Sequence, residues 1–194
     1  MPSRDLRTIG ALLAVVAAVG LYSVIGRAQT SGAVPSPCDM TTSGGFVLTD
    51  NGQEANFGAH GGCKKGEFWG HVNYVDHTTN YHVDSVQITG YLTPYPGSNV
   101  RDICGLATTN AAEPQPVAFH LRLVDNGEPG DGDEFGIRLS NGYLVTTRLL
   151  NGGLGGGGNI QIHDPNPSTA GPNPSPDPST MCSVSEPIRI ENEN

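Results

Sequence analysis

Val117-Ala118-Phe119-His120-Leu121-Arg122-Leu123-Val124 alternates apolar and mostly polar residues at period two. That period places Val117, Phe119, Leu121 and Leu123 on one face of a strand and His120 and Arg122 on the other, outer face. The alternation returns in Glu134-Phe135-Gly136-Ile137-Arg138-Leu139. Between them lies Asp125-Asn126-Gly127-Glu128-Pro129-Gly130-Asp131-Gly132-Asp133, a run of turn formers that joins two antiparallel neighbours as a hairpin.

Working outward, strand patterns recur at residues 46–49, 55–59, 67–75, 83–91, 103–108, 143–150 and 159–163, separated by Gly, Asn and Asp turns. Helical periodicity is absent after the N-terminal segment, so the expected fold is all-β: a single antiparallel β-sandwich or small β-barrel, disulfide-bonded. The length suits one domain with a modest core.

The N-terminus carries Arg4 and Arg7, then an uncharged apolar run over residues 9–25, then Gly26-Arg27-Ala28. This is the pattern of a signal peptide, residues 1–28, cleaved after Ala28. The rival reading is an uncleaved N-terminal anchor. Residues 29–43 form an N-terminal extension, 44–163 the β-domain and 164–180 a Pro-rich linker with too few apolar side chains to pack. Residues 181–194, with Cys182, Val184, Ile188 and Ile190, are expected to return and dock on the domain.

Removing residues 1–28 takes away Arg4, Arg7 and Arg27 but only Asp5, so the net charge of −9 becomes −11. Such a surface repels phosphate backbones and anionic lipid, which disfavours nucleic acid and membrane surfaces as partners. A surface protein or a glycan is the expected partner class. Cys38, Cys63, Cys104 and Cys182 are an even set in a chain bound for an oxidising compartment. Of the three pairings four cysteines allow, the expected one is Cys63–Cys104 inside the domain and Cys38–Cys182 tying its ends, because the second pair brackets the first.

Four groups of residues resemble the post-choice-of-anchor domain of bacterial secreted and surface proteins: Gly44-Gly45-Phe46-Val47; Ala55-Asn56-Phe57-Gly58; Asp125 to Gly130 with Asp133 and Phe135; and Gly157-Gly158-Asn159-Ile160-Gln161-Ile162-His163. The similarity covers residues 44–163. The resemblance implies a small extracellular β-domain with a structural or adhesive role, and no catalytic residues are carried over. Cys38 and Cys182 lie outside it, and the chain reads as the domain alone.

The chemical motifs are few. Asp125, Asn126, Glu128, Asp131 and Asp133 offer oxygen ligands for calcium, although the spacing is not that of an EF-hand and the first reading is a solvated turn. The expectation is therefore no cofactor, with calcium as the alternative. His71, His77 and His82 invite zinc, but they fall partly on a strand and partly in a turn, so one backbone geometry does not collect them. The glycine run over residues 152–158 lacks the Lys-Ser/Thr of a phosphate loop and reads as a flexible turn or a close backbone approach. Nucleophile motifs are missing. Glu67 and Asp76 are the candidate carboxylate pair for a hydrolase, the third functional reading. A calcium- or carbohydrate-binding module, using Trp69, Tyr74, Tyr81, Tyr91 and Tyr95 as stacking rings, comes second to the structural or adhesive one.

Overall fold

The computed structural model describes residues 32–49, 51–150 and 156–182. The expected signal segment, and Val184, Ile188 and Ile190 of the tail, lie outside the described residues. Among the described residues nine strands form one antiparallel sheet: β1 (Met40–Leu48), β2 (Glu54–Lys64), β3 (Glu67–Asp76), β4 (Tyr81–Leu92), β5 (Val100–Thr109), β6 (Val117–Val124), β7 (Glu134–Leu139), β8 (Leu144–Leu149) and β9 (Gly156–His163). Each strand expected from the sequence has its counterpart. From β1 to β8 every strand pairs with its sequence neighbour, and β9 returns to the free side of β1, giving the order β8-β7-β6-β5-β4-β3-β2-β1-β9. The sheet curls until its two edge strands approach one another, so the domain is a nearly closed barrel.

Alternation decides which side chains fill that barrel. Val117, Phe119, Leu121 and Leu123 of β6 and Phe135, Ile137 and Leu139 of β7 are all buried in one core cluster. Phe57 on β2 stacks on Phe135 on β7 with ring centroids 4.0 Å apart, and Tyr74 on β3 follows at 6.1 Å. Strands five steps apart in the sheet therefore meet through their side chains across the barrel, as expected when a small barrel is filled rather than hollow. Two register shifts in β4, at Ser85/Gln87 and Ile88/Gly90, change which residues face inward, so that Tyr91 joins the core while Leu92 joins a second cluster with Cys104 and Cys182.

The glycine run is partly strand. In β9, Gly156 and Gly158 have φ of 142° and 140°, and a Cβ on Gly45 of β1 would lie 2.2 Å from the Gly157 carbonyl oxygen. Only glycine allows this approach, which seats Phe46 over Gly157 and holds β9 against β1.

The segment read as a Pro-rich linker instead lies against the barrel. β3 and β4 pair only over residues 73–76 and 81–84. Beyond that the segment bridges their neighbourhood: Gly171 and Pro172 sit on Gly66 of the β2–β3 turn, and the Asp177 N–H donates to the Thr89 carbonyl at 3.0 Å. The Thr89 and Thr180 hydroxyls bond at 2.6 Å, and the Asn173 amide donates to the Pro35 carbonyl at 3.1 Å. Composition misled here because backbone groups and small side chains make most of these contacts. Thr169 and Thr180 are buried in them.

The disulfides pair Cys38 with Cys63 and Cys104 with Cys182, correcting the nested pairing expected from the sequence. The reason is facing. Cys63 shares the interior with Ala59 and Phe57, whereas Cys104 stands next to inward-facing Ile103 and so points outward, with the barrel wall between them. Cys38–Cys63 ties the N-terminal extension to the end of β2. Cys104–Cys182 fastens the Pro-rich strap to β5.

Candidate functional site

The acidic hairpin sits at the seam between the edge strands. Among the described residues β9 pairs with β1 alone, so its other edge presents backbone N–H groups to the gap. Two of them are taken by the hairpin: Ile160 N–H donates to Asp133 Oδ2 at 2.6 Å and Ile162 N–H to Asp125 Oδ2 at 2.8 Å. The other oxygens bond within the loop, Asp133 Oδ1 accepting from Asn126 N–H at 2.8 Å and Asp125 Oδ1 from Gly127 N–H at 3.0 Å. Glu128 accepts both contacts of the Asn159 amide, at 3.2 and 3.1 Å.

The five expected calcium ligands are thus distributed. Asp133 is fully buried, Asp125 and Glu128 reach toward β9, the Asn126 amide is a donor to the Gly132 carbonyl, and Asp131 is exposed. Burial, together with the charges of Asp125 and Glu128, raises the Asp133 carboxyl above its ordinary value despite the two amides bonded to it. Among the described residues no group of three His, Cys, Asp or Glu side chains is gathered as a metal site. The geometry here is that of carboxylates standing in for a missing strand.

Glu67 and Asp76 occupy the first and last positions of β3, about 30 Å apart at the rise of a strand, so they do not form a hydrolytic pair. Asp76 instead caps the β3–β4 turn. It accepts from Thr78 N–H at 2.8 Å, Thr79 Oγ1 at 3.1 Å and Tyr143 Oη at 3.0 Å. Burial works against its charge, but these donors prevail and hold it below the usual carboxylate value. Tyr143 is in turn bonded to Tyr74 Oη at 2.8 Å and stacked on Tyr81 at 4.7 Å.

The expected stacking rings are therefore mostly structural. Tyr74 and Tyr91 are completely buried, Tyr81 and Trp69 are half-buried with Tyr81 packed on Tyr143, and of the five Tyr95 alone is exposed. The three histidines also part company: His77 bonds Asn56, His82 lies 3.2 Å from Asn80, and His71 contacts Asp84 at 3.1 Å. What sequence reading missed is His60. The β2–β3 register places it directly opposite His71, with ring centroids 6.3 Å apart and the Trp69 ring 5.4 Å from His60. Burial and the neighbouring His71 lower the pKa of His60. The signal that could have found it is the short Lys65-Gly66 turn, which aligns residues equidistant from it across the hairpin.

Two buried ionic groups were also invisible in the sequence. Inside one end of the barrel, Arg101 makes a two-pronged pair with Asp39, Nε to Oδ1 at 3.0 Å and an Nη to Oδ2 at 2.5 Å, while Tyr91 Oη donates to Asp39 at 2.6 Å. On the outer side, Asp102 holds His120 at 3.0 Å and Arg122 at 2.9 Å. His120 faces outward as its parity predicts, yet is 1% exposed. Burial opposes the Asp102 charge, and His120 and Arg122 overcome it, keeping its pKa below the ordinary value.

No protein-family model, no curated protein and no solved structure matches this chain.

Proposed function

We propose that the protein is an extracellular or cell-surface β-module with a structural or adhesive role and no catalytic activity, as the post-choice-of-anchor resemblance implies. The observation that carries this reading is the filled interior. Phe57, Tyr74 and Phe135 meet across the barrel where a ligand-binding barrel keeps its cavity, so recognition falls to the outer surface. The acidic loop supports it as well, because the Asp133 and Asp125 carboxylates are bonded to backbone amides rather than converging on a reactive centre. Two disulfides suit an oxidising environment, and no helix among the described residues is long and apolar enough to cross a membrane.

The test is export and inertness together. Expressed with residues 1–28, the protein is expected in the medium or periplasm, shortened at Ala28 and lighter by four hydrogens, and inactive across a broad panel of hydrolase substrates. Turnover that scales with the purified protein overturns the non-catalytic part; retention in the cytoplasm with free thiols overturns the extracellular part. A glycan array read with and without calcium separates an adhesive role from a carbohydrate-binding one.

A further inference from the structure

We propose that His60 and His71 form a chelating pair for a divalent transition-metal ion on the outer face of the barrel, with copper(II) the preferred ion. The antiparallel register sets the two residues opposite one another on β2 and β3, which brings their Cβ atoms to about 5 Å and points both side chains to the same side. His71 is exposed and His60 partly so, leaving room for solvent ligands.

Two nitrogens bound to one ion at about 2.0–2.1 Å lie no more than roughly 4 Å apart, so the rings, now 6.3 Å apart between centroids, close by side-chain rotation of His71 without backbone movement. Asp84 Oδ1 is 3.1 Å from His71 Nε2 and Ser85 Oγ is 3.3 Å from its Nδ1. Closing the pair therefore releases the Asp84 and Ser85 contacts of His71, both of which come from β4 on the far side of β3 from His60, and leaves the Asp84 carboxylate beside the site. Imidazole donors with open water positions favour copper(II) over nickel(II) and zinc(II) in the usual stability order. The donor set differs from the acidic hairpin in residues, face and preferred ion.

Trp69, the chain's single tryptophan, reports on this pair because its ring is 5.4 Å from His60. Untagged protein with both disulfides intact is titrated with copper(II) at neutral pH while Trp69 emission is followed. The expected result is saturable quenching at one equivalent, relieved by excess chelator and weakened at least about tenfold in His60→Gln and in His71→Gln, but not in His77→Gln or His82→Gln. Quenching that does not saturate, or that persists in the His60→Gln, His71→Gln double variant, overturns the proposal. Electron paramagnetic resonance of the wild-type complex keeps the question decidable should the variants misfold. Coupling to two imidazole nitrogens supports the site, and coupling to one or none overturns it.

Discussion

Asp133, at the foot of β7, accepts the amide hydrogen of Ile160 on β9 at 2.6 Å, so a carboxylate on one side of the seam completes the edge of a strand on the other. Asp125 repeats the arrangement two residues along β9, with Ile162. An unpaired strand edge invites association with other chains, and here side-chain oxygens occupy two of its donors.

If that is the work of the hairpin, its carboxylates are unequal in stability. Asp133→Ala strands the buried amide of Ile160, at about 1–3 kcal/mol for an unpaired donor, and removes the partner of the less buried Asn126 amide. A loss of about 2–4 kcal/mol, and a fall of roughly 5–15 °C in the thermal midpoint, is expected. Asp131→Asn, on the exposed side of the same loop, is expected to stay within about 0.5 kcal/mol of wild type. Equal melting temperatures for the two variants would refute the seam assignment.

Disulfide connectivity and its consequences are separately measurable. Non-reducing peptide mapping should recover Cys38 linked to Cys63 and Cys104 linked to Cys182. The chain-entropy model, applied to sequence separations of 25 and 78, gives about 3.5 and 4.5 kcal/mol, so Cys104→Ser with Cys182→Ser is the costlier removal. Shortening the strap over residues 168–176 is also expected to destabilise, because it withdraws the contacts on Gly66 and Pro35. A strap deletion that melts like wild type contradicts the docking.

Acid should unfold the protein through Asp102 and Asp76. Their pKa values in the fold lie below the ordinary 3.8, so each contributes stability that is complete above that value and is lost as pH falls through the lower, folded one. Asp133, raised in the fold, acts with the opposite sign: its charged form costs stability at neutral pH, and the cost disappears on acidification. Urea midpoints measured from pH 7 down to pH 2.5 should fall steeply below about pH 4. In Asp102→Asn the fall should be shallower; an unchanged acid limb counts against the assignment.

Breaking the Asp39–Arg101 pair by Arg101→Leu leaves a buried carboxylate facing Tyr91, and about 3–5 kcal/mol should be lost. Adding Asp39→Leu should recover part of that, since the uncompensated charge is gone. A double variant no more stable than Arg101→Leu alone would show that the pair is not where the loss arises.

Much of the fold is legible in local pattern. Alternation in Val117–Val124 and Glu134–Leu139 names the inward residues, and turn chemistry marks the bends, because both depend only on neighbours a few positions away. Export and disulfide formation are likewise expectations from composition and position. The two bulges of β4 are less visible, although they decide that Tyr91 faces the core and Leu92 does not.

By itself, then, the sequence determined an all-β chain, its strands and the inner or outer side of most residues, since a strand's period is a property of the local backbone. Closure of the sheet decided the rest. It brought Ile160 and Ile162 to Asp133 and Asp125, so that a loop legible only as an acidic hairpin caps a strand edge, and put the wall of the barrel between Cys63 and Cys104. The β2–β3 register likewise set His60 opposite His71. These are relations between residues distant in the chain, and register and closure, unlike periodicity, exist only once strands have paired.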